Sequence, residues 1–300
     1  MTAKPPDNRL GLWYMLIGMC LFATTDALAK FLTQTLPPLQ IVWLRQTGLL
    51  SVVIVLLVWH GPRLLRSTQP ALQLGRGVLA SISASLFIVA VAYVPLADAV
   101  AITFVAPFLV TVLGAWLLGE AVGPRRWTAV IVGFVGTLIV IRPGLGVVHP
   151  AAMLLVIAAA AFAGRQILSR MLARGDPTRT TIAYTAIVSW TLLALPVPFV
   201  WQTPSTTQQV ALLVAVALLA AAGEVFVIMA LDAAEAVVVA PVQYVLLVWG
   251  TLYGFLLFGQ LPDGWTWLGA AMIVLTGLYI FHRERQLARA PAPSAGHGAD

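Results

Sequence analysis

The chain has 300 residues, of which 60% are apolar and only 9% are charged. A soluble domain carries about 25% charged residues and about 45–50% apolar ones, so this composition excludes most soluble enzyme folds and any large domain outside a membrane. The formal net charge is +6. The single cysteine, Cys20, excludes an internal disulfide and a cysteine-based metal cluster.

Ten apolar stretches follow a short polar segment at the N-terminus, residues 1–9. Continuous apolar runs of about 20 residues are typical of membrane helices, whereas the strands of a membrane barrel alternate every second residue. The sequence therefore predicts an all-α membrane protein with ten transmembrane helices. The predicted spans, numbered 1 to 10, cover residues 10–32, 39–59, 74–94, 97–118, 127–141, 151–171, 181–200, 208–230, 234–258 and 266–282.

Positively charged residues are distributed unevenly over the predicted loops. With the N-terminus in the cytoplasm, thirteen Lys and Arg residues fall on the cytoplasmic side, and only Lys30 and Arg142 fall on the other. This bias predicts a protein of the inner membrane with both termini in the cytoplasm. Residues 283–300 have too little apolar surface for a core and are predicted to form a disordered cytoplasmic tail. The positive net charge is thus explained by membrane topology, and no nucleic-acid partner is expected. The expected partners are the lipid bilayer and a small-molecule substrate. The protein is expected to be a monomer.

Three motifs occur in the same order in both halves of the chain. They are Phe22-Ala23, repeated as Phe162-Ala163; Asp98-Ala99, repeated as Asp232-Ala233; and Gly119-Glu120, repeated as Gly259-Gln260. The second motif and its copy are 134 residues apart, whereas the third motif and its copy are 140 residues apart. This difference places about six extra residues in span 9. The sequence therefore predicts a first five-helix repeat over residues 10–142 and a second over 150–282. Because five is odd, the second repeat enters the membrane from the opposite side, as in transporters that bind substrate near the midplane between inverted repeats.

The sequence resembles the EamA branch of the drug/metabolite transporter superfamily over nearly its whole length. The residues that carry the resemblance include the run from Pro95 to Ala101, Phe104 with Pro107, Leu118-Gly119-Glu120, Arg142-Pro143-Gly144, Pro241-Val242-Gln243-Tyr244, and Trp265-Thr266-Trp267-Leu268-Gly269. The resemblance implies ten helices in two inverted repeats and transport of small metabolites, often export of amino acids. One position departs from the family pattern, because Gln260 stands where the family usually has glutamate.

Ionisable and polar residues inside spans are rare and are functional candidates because they are costly in a membrane. Those assigned to a substrate pathway are Asp26, Gln166 and Glu224, and those assigned to a charged network are Lys30, Arg45 and Arg165. Structural alternatives exist for each. Asp26 can pair with Lys30 four residues later or with Arg45, Arg45 can instead extend to the membrane surface, and Arg165 can pair with Glu224 across helices.

Two prolines lie in the middle of corresponding spans. Pro107 cannot donate a hydrogen bond to the Thr103 carbonyl, and Pro241 cannot donate one to Val237, so spans 4 and 9 are predicted to kink. Backbone freed at membrane depth is tolerated beside protein or a water-filled cavity, which places both prolines on the pathway. The other pathway candidates are Phe87, Phe104, Phe108, Trp190, Met229, Gln243 and Tyr244, although aromatic residues in membrane helices also serve packing alone.

Taken together, these features predict a secondary transporter that exports small metabolites by alternating access, with amino acids as the favoured substrates. Drugs, nucleosides or sugars are alternative substrates, and a channel-like facilitator is an alternative mechanism. Glu224 and Asp26 are candidates for proton coupling. The spans contain no nucleophile set, metal-ligand cluster or nucleotide-binding motif, so neither an enzyme nor a bound cofactor or metal is expected.

Overall fold

The computed structural model describes residues 7–120, 122–143, 149–173 and 175–289. Its helices follow the ten predicted spans. Their bounds, in span order, are Asn8–Leu32; Pro38–His60; Pro70–Val91; Leu96–Thr103 with Ala106–Leu117; Pro124–Ile141; Ala152–Leu172; Thr178–Ala194 with Val197–Val200; Thr207–Ala233; Ala236–Val239 with Val245–Phe258; and Gly264–Arg289. A short 3-10 helix, Pro62–Leu65, follows span 2.

Within the described residues, nine helical segments are long and apolar enough to cross a membrane. The remaining segment, Thr178–Ala194 in span 7, has 17 residues and continues past Pro196 into the four-residue helix Val197–Val200. The short fifth stretch is an independent helix of 18 residues, Pro124–Ile141. The prediction of an all-α membrane fold is therefore confirmed.

The last helix is longer than the apolar pattern indicated. It continues to Arg289, through a stretch rich in the strong helix formers Arg, Glu, Gln, Leu and Ala. The first part of the predicted disordered tail is thus helical, and the rest of that prediction, residues 290–300, lies outside the described residues.

The largest helix–helix contacts join spans from different halves of the chain: span 1 with span 8, span 3 with span 6, and span 5 with span 10. In the repeat, span 1 corresponds to span 6 and span 3 to span 8, so the first two contacts are one interface present twice. The contact between spans 2 and 8 is likewise equivalent to the contact between spans 7 and 3. Spans 2 and 7, which correspond to each other in the repeat, pack directly on each other. The two halves are therefore interlocked through pairs of equivalent spans, in agreement with a two-repeat fold.

Equivalent helix ends confirm the repeat at the level of single residues. Spans 4 and 9 end before Gly119 and Gly259, whose φ angles of 65° and 64° suit glycine because it has no Cβ. The next amide then turns back in both halves. Glu120 N–H donates to the Gly114 carbonyl over 3.2 Å, and Gln260 N–H donates to Gly254 over 2.9 Å.

Small residues bring several helices into close contact. Gly250 of span 9 lies against Val100 of span 4, and Gly77 of span 3 lies against Val188 of span 7. Among the described glycines, the closest approach to a backbone atom is between spans 2 and 8, where a Cβ on Gly48 would lie 1.9 Å from the Ala217 carbonyl oxygen. In a membrane, where lipid is as apolar as the side chains, such close packing is a main source of helix association.

Candidate functional site

Spans 4 and 9 are both interrupted within their length, away from their ends. Span 4 breaks between Thr103 and Ala106, immediately before Pro107, and resumes as a second helix. Span 9 contains a 3-10 segment, Ala240–Tyr244, around Pro241. Each proline removes one backbone donor from the helix, which explains both interruptions. The predicted interruptions of both spans are therefore confirmed.

The two interruptions meet through their aromatic side chains. The rings of Phe104 and Tyr244 stack with centroids 4.8 Å apart and planes inclined by 23°. Phe104 lies eight residues into span 4, about 12 Å along a helix from its start. Tyr244 also contacts span 10, where a Cβ on Gly277 would lie 1.7 Å from the tyrosine hydroxyl. The stack therefore joins the two halves at mid-depth.

Polar and apolar surfaces are mixed beside this stack. Gln243, the residue before Tyr244, is exposed, and Pro107 is exposed on the other interrupted span. An amide in contact with lipid at this depth would be costly, so the exposure of Gln243 favours a hydrated surface. The pathway candidates Phe104, Pro107, Pro241, Gln243 and Tyr244 thus lie at or beside the two interruptions.

Two other phenylalanines named from the sequence pack inside the bundle. Phe108 is fully buried, and its ring fills the space beside Gly133 of span 5, where a Cβ would lie 2.2 Å away. Phe87 is half-buried against the cluster that contains Ile88 and Ile102. Met229 lies on span 8 with 37% of its surface exposed. The structure thus does not bring these three side chains together.

A second aromatic group joins spans 2 and 7. The rings of Trp43 and Trp190 lie 5.4 Å apart, and Trp201 meets the edge of Trp43. The Trp190 indole N–H donates to the Thr47 hydroxyl over 3.1 Å. The Trp43 indole nitrogen is buried and has no hydrogen-bond partner among the described residues. Trp190 was named as a pathway candidate from the sequence, whereas Trp43 was not.

Charged side chains surround the C-terminal part of span 1. Arg45 pairs with Asp26 over 2.9 Å, which is one of the two pairings that the sequence left open. Lys30 is 7% exposed and donates to the carbonyls of Val91 and Val94 over 2.8 and 2.5 Å. Its ammonium also lies 5.3 Å from the ring centroid of Phe258 in span 9. The alternative pair between Asp26 and Lys30 is therefore not formed.

The same end of the bundle holds two more aspartates. Asp98 is 8% exposed, its charge interacts with Lys30, and its Oδ1 has no hydrogen-bond partner among the described residues. Asp263 pairs with Arg142 over 2.7 Å and accepts a hydrogen bond from Thr266 N–H over 2.8 Å. These interactions, with the Thr266 amide first, lower the pKa of Asp263 below its ordinary value. This end therefore contains three carboxylates and three cationic side chains.

At the other end, which we call the basic end because most Arg residues of the loops lie there, Asp176 binds the start of span 3. It accepts hydrogen bonds from the Ser67 hydroxyl, from the Thr68 amide over 2.7 Å and from Gln73 over 2.8 Å. Gln73 is fully buried and also donates to Thr181. Glu120 and Arg170 form a further link between the halves over 3.2 Å. These contacts connect the first half to the second at the basic end.

Substitution of Asp176 by asparagine should destabilise the protein by about 1–2 kcal/mol, because an amide nitrogen replaces one accepting oxygen. The Ser67 hydrogen bond, followed by the Thr68 amide, holds the pKa of Asp176 below its ordinary value of 3.8. A carboxylate with a lowered folded-state pKa stabilises the fold above its unfolded pKa and loses that effect as pH falls. Melting curves from pH 7 to pH 3 should therefore show the wild-type advantage shrinking below about pH 4. A constant difference over this range would contradict the assignment.

Glu224 of span 8 interacts electrostatically with two arginines. Its charge interacts with Arg76 of span 3 and with Arg165 of span 6, but no hydrogen bond or ion pair joins it to either among the described residues. The direct Arg165–Glu224 pair left open by the sequence is thus not formed. Gln166, beside Arg165, is half-buried. Arg76 was counted with the cytoplasmic loop residues, because it lies only two residues after the predicted start of span 3 at residue 74. The helix starts earlier, at Pro70, and a proline favoured as a first helical residue was the signal for that start.

Comparisons with known proteins identify relatives over nearly the whole chain. The profile of the EamA-like transporter family matches residues 9–142 and 149–281. A riboflavin transporter of Rhizobium johnstonii is 31% identical over 97% of both chains. An S-adenosylmethionine uptake transporter of Rickettsia prowazekii is 25% identical over 92% of this chain and 94% of its own. A pseudopaline exporter of Pseudomonas aeruginosa is 29% identical over 85% of this chain and 89% of its own.

A solved crystal structure supports the fold. It superposes with a TM-score of 0.62 at 22% sequence identity, and the match covers 92% of this chain and 98% of that chain. Its coverage includes both halves, in agreement with the interlocked arrangement described above.

Proposed function

Because the chain belongs to the EamA-like transporter family, we propose that it is a secondary transporter that carries a small metabolite with an aromatic ring between its two halves by alternating access. The chain is a multi-pass membrane protein of the bacterial inner-membrane type and a transporter of small metabolites rather than an enzyme. The aromatic substrate, the route and the mechanism are the proposed parts.

The observation that carries the proposal is the Phe104–Tyr244 stack at the meeting point of two interrupted spans. A stacked pair in which each ring comes from a different half can separate when the halves move, and a planar substrate can replace one ring against the other. Exposed Gln243 beside the stack offers a donor and an acceptor to polar groups of such a substrate. The riboflavin-transporting relative supports this choice by similarity.

Export of amino acids, the substrate class favoured by the sequence, is a second candidate. The Asp26–Arg45 pair favours it, because it presents one charge of each sign near one end of the pathway, as a zwitterion requires. The relatives include both uptake transporters and exporters, so direction is part of this proposal. We further propose that the basic end faces the cytoplasm, which the distribution of Arg residues supports.

Counterflow into proteoliposomes tests the proposal. Vesicles loaded with unlabelled riboflavin, phenylalanine or leucine are diluted into the same labelled compound, and accumulation is followed. We expect accumulation with ring-bearing compounds, and we expect Phe104→Ala to reduce it about tenfold through loss of stacking contact. Phe199→Ala is the matched control, because Phe199 is 89% exposed outside this site.

Two outcomes would contradict the proposed function. If riboflavin and phenylalanine give no accumulation above empty vesicles while leucine does, the aromatic substrate class is wrong and the amino-acid alternative stands. If Phe104→Ala and Phe199→Ala transport at the wild-type rate, the stack does not lie on the route.

A further inference from the structure

Two arginine side chains lie within the spanning helices, near the basic end of the bundle. Arg76 is six residues from the start of span 3, and Arg165 is seven residues from the end of span 6, both about 10 Å from the helix ends. Both side chains are half-buried. Their charges interact with each other as well as with Glu224. Two like charges held close together in a membrane are costly unless something compensates them.

The protein compensates the two arginines unequally. Arg76 donates from Nε to the Ser169 hydroxyl over 2.7 Å and from Nη1 to the Thr185 hydroxyl. Arg165 contacts the Phe162 ring, 4.7 Å from its centroid, and its Nε has no hydrogen-bond partner among the described residues. Glu224 supplies one negative charge against two positive ones. The described residues therefore leave one unbalanced positive charge and an Arg165 guanidinium whose Nε donor has no partner.

Arg165 is linked to the aromatic stack by packing. Its contact residue Phe162 packs against the cluster of Val105, Ala106 and Phe108, at and just after the interruption of span 4. Phe104 packs against the same cluster. The Arg165 guanidinium and the Phe104–Tyr244 stack thus flank one apolar cluster, as a ring site and a charge site of a single ligand would.

We propose that Arg165, supported by Arg76, binds an anionic group of the transported metabolite. The inference rests on the proposed function and narrows its substrate class to aromatic compounds that carry a carboxylate or a phosphate. A guanidinium is suited to this task because its planar donors bind two anionic oxygens at once and it stays charged. Glu224 is the counter-charge of the empty site, and it competes with the ligand for the two arginines.

Matched pairs of probes separate the anionic group from the ring. Indole-3-acetate and indole-3-acetamide share a ring and differ in charge, and riboflavin 5′-phosphate and riboflavin differ by one phosphate. Dissociation constants are measured by tryptophan fluorescence and by thermal shift with the full-length protein in detergent. In at least one of the two pairs, we expect the anionic probe to bind about tenfold tighter than the neutral probe with the same ring. This is the gain expected from a charge-assisted hydrogen bond.

Three variants assign that preference to its residues. Arg165→Gln should abolish it and leave the neutral probe within about twofold of wild type, while Arg165→Lys should retain part of it. Glu224→Gln should tighten anion binding, which a purely structural role of Glu224 would not predict. Arg170→Gln is the matched control, since it lies on the same helix but is 46% exposed and paired with Glu120.

The outcomes distinguish this inference from the proposed function. If anionic and neutral probes bind equally in wild type and Arg165→Gln, the anion site is wrong and the aromatic site stands. If Arg165→Gln and Arg170→Gln weaken anions equally, general electrostatics rather than a site explains the preference. Absence of binding by all four probes would contradict both. A preference for only the carboxylate or only the phosphate identifies the anionic group.

Discussion

Replacement of Gly48 by alanine is expected to destabilise the protein by at least about 3 kcal/mol or to prevent its native packing. A Cβ at this position would lie 1.9 Å from the Ala217 carbonyl oxygen and 2.6 Å from its carbonyl carbon. Both atoms belong to the backbone of span 8, so no side-chain rotation relieves the clash. Spans 2 and 8 would have to separate, and this contact has an equivalent between spans 7 and 3.

Gly75→Ala is the matched control for Gly48→Ala. It is the same substitution within a neighbouring spanning helix, but the nearest atom to its Cβ is Leu168 Cδ1 at 3.4 Å. Alanine there should be neutral or stabilising by up to about 1 kcal/mol, because it has the higher helix propensity. Melting temperature and elution from a sizing column in detergent are the measurements. Equal behaviour of the two variants would contradict the close approach of spans 2 and 8.

Substitution of Lys30 by methionine should cost about 2–4 kcal/mol of stability. The buried ammonium donates to the carbonyls of Val91 and Val94, where the first half turns from span 3 to span 4. Methionine has a similar length but no donor, so both carbonyls lose their bond to a charged group. Asp98, whose charge interacts with Lys30, would also lose its compensation. The measurement is the melting temperature of the purified protein.

A double-mutant cycle with Asp98→Asn identifies the source of this loss. If Lys30 stabilises the Asp98 charge, Lys30→Met should cost about 1 kcal/mol less in the Asp98→Asn background than in wild type. If the carbonyl bonds alone matter, the two costs are equal. A wild-type melting temperature for Lys30→Met would show that the ammonium is replaceable by water.

Local chemistry accounts for the features that the sequence predicted well. Pro107 and Pro241 interrupt their helices wherever these pack, because a missing N–H is a property of the residue itself. Gly119 and Gly259 follow helix ends because glycine, which has no Cβ, adopts a positive φ without strain. The ten spans follow from apolar runs, whereas the pairing of spans from different halves was not predicted from the sequence.

Contacts between residues far apart in the chain could not be predicted from the sequence. Asp176 binds residues more than 100 positions away, and nothing around it distinguishes it from an ordinary loop aspartate. Gln40 likewise exchanges two hydrogen bonds with the backbone of Gln202, 162 residues later. For Arg45 the sequence offered Asp26 as one alternative, but only the packing of spans 1 and 2 selects it.

The crossed pairing of the spans affects how the chain reaches its native state. Spans 1, 3 and 5 have their principal partners in spans 8, 6 and 10. A ribosome that has completed the first half has therefore inserted five helices whose main neighbours do not yet exist, with the small-residue faces of spans 2 and 3 still turned towards lipid. Native packing becomes complete only when span 10 enters the bilayer, so the two halves mature together rather than one after the other.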